Sequence, residues 1–165
     1  MKQFVYIVFL LLSLHVSAQT EKNYGIQFYH GTWKEACDKA KAENKLIFVD
    51  FYTKWCGPCL NMAENVFILP FIGDFYSTNF VNMKIDAENG EGVELAKRYG
   101  VNSYPTYVFV DPKNGDVVHQ SKSRQEAEQF LATGKSALVP ELRSGYLIEE
   151  FAKGRDDREF LKNYI

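Results

Sequence analysis

The segment Phe48–Met62 reads FVDFYTKWCGPCLNM and carries two cysteines, Cys56 and Cys59, separated by Gly57 and Pro58. The residues before the cysteines form a mainly apolar and β-branched run, a pattern typical of a central strand that is covered on both faces. The glycine-proline pair favours the start of a helix, because proline is tolerated in the first turn, where its missing N–H would have no partner. The sequence therefore places Cys56 at the junction of a strand and a helix.

This junction gives the two cysteines different chemical properties. At a helix N-terminus the unpaired N–H groups and the helix dipole favour thiolate over thiol, which lowers a cysteine pKa by one to several units from about 8.5. We therefore expect Cys56 to be a nucleophile whose sulfur solvent can reach. Cys59 lies one turn further along the helix, shielded and close enough to attack a mixed disulfide formed at Cys56. A loop this short adds little stability, so redox chemistry explains the pair better.

The composition of the 165-residue chain is that of a folded protein, with 46% hydrophobic and 15% aromatic residues. This length and composition suffice for one globular domain with a proper core and some additional chain. The formal net charge of −2 gives no basic footprint for nucleic acid and no polybasic patch for anionic lipid. We therefore expect no nucleic-acid partner.

Residues 1–18 have the features of a secretory signal peptide. Lys2 precedes an unbroken apolar run over 4–12, and the segment ends in the small residues Ser17 and Ala18. We expect cleavage after Ala18 and no stable membrane insertion afterwards, because the apolar run is shorter than the roughly 20 residues of a comfortable membrane span. An uncleaved N-terminal anchor is the alternative. Either way we expect the domain outside the cytoplasm, in the periplasm of a bacterium, where thiols tend to end as disulfides.

Strands and helices alternate along the middle of the chain, which predicts parallel pairing between the strands that helices connect. A Pro/Asn/Gly turn between two later β runs predicts a terminal antiparallel hairpin, so the sheet is mixed. The predicted elements are an edge strand over 26–28, a helix over 32–44, a strand over 45–52, a helix from 57, a helical piece from 70 to about 79, a strand over 80–87, a helix over 90–100, strands over 106–110 and 117–120, and a helix from about 124 to 133.

The predicted alternation of strands and helices ends at about residue 133. Pro140 is suited to open a helix, and Gly154 interrupts the pattern before another helical stretch. We expect residues 134–165 to form a short helical C-terminal extension of two helices. Two interpretations stay open: the helices pack on the preceding domain, or they begin a helical-repeat region that a truncated chain does not complete.

The stretch VDFYTKWCGPC resembles the active-site signature of thioredoxin, and a second proline, Pro105, stands at the head of a later strand. The order of strands and helices over 24–133 is similar to the thioredoxin fold. The resemblance implies an α/β domain over 24–133 with a mixed five-stranded sheet flanked by helices. The lead-in helix and the broken helix after the cysteines are closer to exported thioredoxin-like proteins and disulfide-reductase modules than to short cytosolic thioredoxin.

This resemblance assigns a role to the carboxylate within the apolar strand. Asp50 matches the family aspartate that lies under the active-site disulfide and exchanges protons with the buried cysteine, here Cys59. Burial would raise the pKa of Asp50 into a range useful for accepting that proton. Lys84 resembles the family lysine that pairs with the aspartate. The alternative for Asp50 is that it ends the strand and turns to solvent.

The resemblance also implies a surface on which substrates dock. Pro105 resembles the family's cis-proline, which turns the backbone of Tyr104 toward an extended cysteine-containing peptide. The family often has a smaller or branched residue before this proline, so Tyr104 could alter which partners fit. Trp55 is expected to cover the disulfide as part of an apolar docking rim. The alternatives are an ordinary trans Pro105 and a Trp55 that only packs.

The remaining cysteine and the histidines point to no further site. Cys37 lies on the apolar face of its helix and is expected to be an inert buried thiol, with a redox or dimerising role as the alternative. The histidines have no metal-ligand spacing, and zinc would need a second pair of ligands beside Cys56 and Cys59. We expect no metal and no cofactor. The three histidines are His15, His30 and His119.

These expectations combine into a thiol–disulfide oxidoreductase that exchanges disulfides in exported, cysteine-containing proteins through a mixed disulfide at Cys56. Gly57 and Pro58 resemble those of the reducing members of the family, so net reduction is favoured, with a membrane protein as electron donor. A periplasmic disulfide oxidase or isomerase is the first alternative. A thioredoxin-like binding or adaptor module, whose C-terminal helices dock a partner, is the second.

Overall fold

The computed structural model describes residues 24–164, and within them four strands form one mixed sheet of order β2-β1-β3-β4. Strands β1 and β2 are parallel, whereas β3 is antiparallel to both β1 and β4. The mixed α/β architecture predicted from the sequence is confirmed. The strands are β1 Leu46–Tyr52, β2 Phe80–Asp86, β3 Thr106–Val110 and β4 Val117–Lys122.

The prediction of a fifth strand over 26–28 is wrong. Phe28 forms one isolated parallel bridge with Asn82 of β2. The neighbouring backbone groups have other acceptors: Ile26 N–H donates to the Phe67 carbonyl at 2.8 Å and Gln27 N–H to Ser77 Oγ at 3.0 Å. Because these groups are satisfied by the segments beside β2, no ladder forms along the sheet edge.

The helices lie where the sequence pattern indicates, with differences at their ends. Thr32 caps the first helix in a reciprocal capping box with Glu35. A short 3₁₀ turn, Pro140–Leu142, precedes the last two helices. The predicted signal peptide lies outside the described residues. The helices are α1 Trp33–Glu43, α2 Gly57–Asn65, α3 Pro70–Asn79, α4 Gly92–Arg98, α5 Ala127–Leu138, α6 Ser144–Ala152 and α7 Arg158–Tyr164.

Helix α5 differs from its prediction at both ends. The sequence predicted a helix from about 124 to 133, but α5 continues through Gly134 to Leu138. Gly134 lies inside the helix, where its lack of a side chain lets α5 approach α3. A Cβ at this position would lie 2.8 Å from Phe75 and 2.9 Å from Tyr76. The division of the chain at residue 134 stays a prediction, and α5 crosses that position.

The sheet separates two hydrophobic clusters, and β1 contributes alternate side chains to each. Ile47, Val49 and Phe51 face the cluster that includes residues of α1 and α4. Phe48 faces the other cluster, which contains residues of α2, α3 and α5 and is rich in aromatic rings. Asp50 has the same parity as Phe48 and therefore lies on the α2 side of the sheet.

The C-terminal helices pack on the edge strand β4. Ser144 N–H donates to His119 Nδ1 at 3.0 Å, and Gln120 N–H donates to Ser144 Oγ at 2.8 Å. Leu147 of α6 and Phe160 of α7 are buried. The extension is therefore docked on the domain. Within the described part of the chain, every helix is too short or too polar to cross a membrane.

Candidate active site

Cys56 lies between the end of β1 and the start of α2, as the sequence predicts. Its sulfur caps the helix, accepting a hydrogen bond from Cys59 N–H at 3.1 Å. Pro58 occupies the first turn of α2, and both Gly57 and Pro58 are exposed. Cys56 and Cys59 form a disulfide with a Cα–Cα distance of 5.3 Å. The structure is therefore that of the oxidised protein.

In this oxidised form little of either cysteine is exposed, and the expectation that solvent reaches the Cys56 sulfur stays a prediction for the reduced protein. Cys56 is 5% exposed and Cys59 is 2% exposed. The two residues line a pocket of about 250 Å³, together with Leu60 and Ala63 of α2. Because the disulfide holds the Cys56 sulfur against the first turn of α2, a partner sulfur must enter this pocket to reach it.

Trp55 forms the rim of the pocket and is 69% exposed. Its Nε1–H donates to Glu88 Oε2 at 2.9 Å, and its ring meets the Tyr104 ring edge to face at 6.0 Å. These contacts hold an exposed indole in place beside the disulfide. Glu88 was not predicted as a site residue. Its position two residues after β2 was a usable signal, because the carboxyl ends of the parallel strands β1 and β2 lie at the same edge of the sheet.

Asp50 is 1% exposed, so it does not turn to solvent. Lys84, its register partner on β2, places Nζ 3.1 Å from Asp50 Oδ2. Burial raises the pKa of Asp50 above its ordinary value, and the positive charge of Lys84 and its hydrogen bond oppose that rise. In this pair Asp50 therefore binds a proton more readily than an exposed aspartate does.

Lys84 is held between the carboxylate and two aromatic rings. Its Nζ lies 4.7 Å from the centre of the Tyr52 ring and 5.4 Å from that of Phe67. Lys84 and Tyr52 line the same pocket as Cys56 and Cys59. The cation–π contacts fix the ammonium group between the disulfide pocket and the buried Asp50.

The Tyr104–Pro105 peptide bond is cis, as the resemblance implies. Pro105 is buried at the start of β3, and Tyr104 is half-buried. Thr106 Oγ1 donates to the Ser103 carbonyl at 2.7 Å, which closes the turn. The ring contact between Tyr104 and Trp55 places this turn beside the segment that carries the disulfide.

Cys37 does not belong to this site. It is a half-buried free thiol of α1 that packs against the hydrophobic cluster containing Tyr99, and burial raises its pKa. A thiol with a raised pKa is a poor nucleophile at neutral pH. Within residues 24–164, no three histidine, cysteine or carboxylate side chains are grouped as metal ligands.

The arrangement can carry out thiol–disulfide exchange. It combines a sulfur at a helix N-terminus, a second sulfur one turn deeper, and a buried carboxylate with a raised pKa on the same side of the sheet. The exposed Trp55 and Leu60 beside the pocket offer an apolar surface to a partner protein.

Comparison with known proteins agrees with this geometry. A family model described as a thioredoxin-like domain matches residues 33–138. Thioredoxin-1 of Drosophila yakuba is 48% identical over 69 residues, which cover 42% of this chain and 60% of that protein. The solution structure of a putative disulphide-isomerase from Bacteroides thetaiotaomicron is 40% identical with a TM-score of 0.64, covering 72% of this chain and 97% of that one. A thioredoxin from Thermus thermophilus is 28% identical with a TM-score of 0.62, covering 70% and 88%.

The chain thus spans less than two thirds of the Drosophila relative but nearly the whole of the Bacteroides structure. The family match, the strand order and the disulfide at the start of α2 support one another. The chain belongs to the thioredoxin-like family, and its domain carries a disulfide between Cys56 and Cys59 at the start of α2.

Proposed function

We propose that this protein is a thiol–disulfide oxidoreductase that reduces disulfides in exported proteins. The observation that carries the proposal is the Cys56–Cys59 disulfide at the N-terminus of α2, on the same side of the sheet as the buried Asp50–Lys84 pair. The family match supports the same class of activity.

The first step uses Cys56 in the reduced protein. The N–H groups at the start of α2, including that of Cys59, stabilise the Cys56 thiolate. The thiolate attacks one sulfur of a substrate disulfide, so that a Cys56–substrate disulfide forms and the substrate S–S bond breaks. The second substrate sulfur leaves as a thiolate and takes a proton from solvent.

The second step uses Cys59 and Asp50. The Cys59 thiol passes its proton to the Asp50 carboxylate as its sulfur attacks Cys56 Sγ. The Cys56–Cys59 disulfide forms, and the remaining substrate sulfur leaves as a thiolate that takes up a proton. The substrate gains two electrons and two protons, and the protein ends in the oxidised form that the structure shows.

The reducing direction needs an electron donor, because each turnover leaves the Cys56–Cys59 disulfide to be reduced again. A membrane protein that carries reducing equivalents out of the cytoplasm would fit the predicted export. Gly57 and Pro58 favour the reducing direction through their resemblance to reducing members of the family. The predicted signal peptide is the support for a periplasmic location.

An isomerase is the second candidate. The Bacteroides structure that is 40% identical to this chain is described as that of a putative disulphide-isomerase. An isomerase would use Cys56 in the same first step, but the substrate's own thiol would then release the mixed disulfide. An adaptor module without redox activity is disfavoured by the intact cysteine pair.

Substitution of each cysteine tests the mechanism. Cys56→Ser should abolish reduction of the insulin disulfides, whereas Cys59→Ser should accumulate a mixed disulfide with substrate that mass spectrometry detects. Cys37→Ser is the matched control and should keep activity, because Cys37 lies outside the site. Full insulin reduction by either site variant would overturn the proposal.

The midpoint potential of the cysteine pair separates the candidates. A value near that of thioredoxin, about −270 mV, supports a reductase. A value near about −180 mV, as in protein disulfide isomerase, supports the second candidate. A glutathione-buffer titration read out by alkylation of free thiols measures it directly.

A further inference from the structure

Tyr107 of β3 lies directly opposite Asp50 of β1 in the antiparallel register. Directly opposed residues share one face of the sheet, with Cβ atoms about 5 Å apart. Tyr107 is fully buried in the aromatic cluster that also contains Met62 of α2. The phenol group therefore lies on the same side of the sheet as the buried carboxylate and the helix that carries Cys59.

Two oxygens in this region are buried without a hydrogen-bond partner among residues 24–164: Asp50 Oδ1 and the Tyr107 hydroxyl. Lys84 binds the other carboxylate oxygen, Oδ2, and leaves Oδ1 free. A polar atom that is buried without a partner destabilises the folded protein. Two such atoms on opposed residues would both be satisfied if they shared a hydrogen-bond link.

The surroundings of Tyr107 do not by themselves require a hydroxyl. Its ring lies among the rings of Phe48, Phe67 and Phe130, with centroids 6.2, 6.4 and 5.1 Å away. A phenylalanine would make the same ring contacts without burying a polar atom. The hydroxyl therefore needs a partner of its own. Asp50 lies opposite Tyr107 in the strand register, and its charge acts on the phenol.

We propose that Tyr107 is a positioning residue for proton transfer, whose hydroxyl donates a hydrogen bond to one bridging water, which in turn donates a hydrogen bond to Asp50 Oδ1. A water fits this role because buried waters typically satisfy polar atoms that protein groups leave unpaired. The inference rests on the proposed function, since it gives Tyr107 a part in the step in which Asp50 takes the proton from Cys59.

Titratable or charged groups on three strands face Asp50: Lys84 on β2, Tyr107 on β3 and Tyr52 on β1. Among the helices on that side of the sheet, α3 brings Tyr76 close enough to Tyr107 for the two phenols to interact electrostatically, and α2 carries Cys59. Lys84 stabilises the carboxylate form at Oδ2, and Tyr107 does so at Oδ1. Burial, and then the charge of Asp50, raise the pKa of Tyr107, so its hydroxyl stays a protonated donor at working pH.

The link has a consequence for the second step of exchange. Asp50 can accept the Cys59 proton only as a carboxylate, and a hydrogen bond to the charged form lowers a carboxyl pKa. Tyr107 therefore sets how far burial can raise the pKa of Asp50. Without the hydroxyl, the rate of the step in which Cys59 attacks Cys56 should rise with a midpoint at higher pH.

The test is a carbon-13 NMR titration of the Asp50 side-chain carboxyl in the oxidised protein. Tyr107→Phe should raise the measured pKa of Asp50 by about one unit, the shift expected when one hydrogen bond to a charged group is lost. Tyr99→Phe removes a hydroxyl that is also buried, in the cluster on the other face of the sheet, and should not move it. An unchanged pKa in Tyr107→Phe, or an equal rise in both variants, would overturn the proposal.

Thr53→Val is a second control, because Thr53 Oγ1 is a third buried oxygen without a partner in the described chain. It follows the end of β1, and the strand register does not set it opposite Asp50. If Thr53→Val raises the pKa of Asp50 and Tyr107→Phe does not, the donor is Thr53 and the assignment is wrong.

A measurement on the unsubstituted protein covers the case in which Tyr107→Phe fails to fold. The chemical shift of Tyr107 Cζ, the ring carbon that bears the hydroxyl, should change as Asp50 titrates. The chemical shift of Tyr99 Cζ should not change. A Tyr107 signal that is flat through the titration contradicts the link. Both measurements use the oxidised protein, which does not turn over, so they decide the link even if the protein is not a reductase.

Discussion

Asp50 is a buried carboxylate beside the cysteine pair, and its burial destabilises the folded protein. A carboxylate that is 1% exposed loses most of its hydration, and one contact with Lys84 replaces only part of it. Its raised pKa means that the folded protein binds a proton more readily than the unfolded chain. Stability therefore falls as pH rises from the ordinary value of 3.8 through the raised pKa.

Asp50→Asn should accordingly make the protein more stable to unfolding and slower at reducing disulfides. We expect a gain of about 1–3 kcal/mol in the free energy of unfolding at pH 8, because the variant buries no charge there. The gain should shrink as pH falls toward 3.8, because the raised pKa lets Asp50 in the native protein take up its proton. Insulin reduction should fall by about a hundredfold, since the general base is lost.

Urea unfolding at several pH values, together with an insulin assay, measures both effects. The control is Asp74→Asn, which changes an exposed carboxylate of α3. A variant that is less stable than the native protein at pH 8, or equally active, would contradict the account of Asp50.

At the scale of elements, His119 joins β4 to α6. It is 8% exposed, and its Nδ1 accepts the Ser144 N–H, so the neutral ring is the form that fits. Burial and the nearby charge of Arg143 lower its pKa to about 4 from an ordinary 6.5. Because the unfolded chain binds the proton more readily, stability is lost as pH falls from 6.5 toward 4.

His119→Gln should remove this acid sensitivity, because glutamine offers an uncharged acceptor to Ser144. The native protein should lose up to about 3 kcal/mol relative to the variant between pH 6.5 and 4. Taking the difference between the two proteins cancels the opposite contribution of Asp50. His30→Gln, at an exposed position, should follow the native curve. If the free energy of unfolding changes equally with pH in the native protein and in His119→Gln, His119 is not the source of the acid sensitivity.

At the scale of the whole molecule, the C-terminal segment covers one edge of the sheet. Edge strands carry unpaired N–H and C=O groups that can pair with another chain. On β4, Ser144 Oγ accepts the outward N–H of Gln120, and α6 lies over the strand. We therefore expect the extension to hinder edge-to-edge association of the sheet.

Ending the chain at Val139 should expose this edge. We expect self-association that increases with concentration, and faster hydrogen exchange at the Gln120 amide, because the covering helices are gone. Light scattering after size exclusion and exchange measured by NMR report the two effects, with the full chain as control. A truncated chain that stays monomeric with a protected Gln120 amide would contradict this role.

The local features of the fold could be predicted from the sequence. The helix start at Cys56 and the strand Thr106–Val110 follow from patterns within a few residues, such as hydrophobic periodicity and proline chemistry. The cysteine pair and its neighbours also indicated the family, because that signature is contiguous in the chain. These features need no knowledge of which distant segments meet.

The tertiary structure alone decided which distant groups meet. It reduced the predicted strand over 26–28 to a single bridge, carried α5 through Gly134, buried Cys56, and brought Glu88 to Trp55 and Tyr107 to Asp50. Each outcome depends on strand register and on the packing of helices against the sheet. Local periodicity fixes which face a side chain occupies, but not which residue of another strand lies opposite it, because that register is set by the whole core.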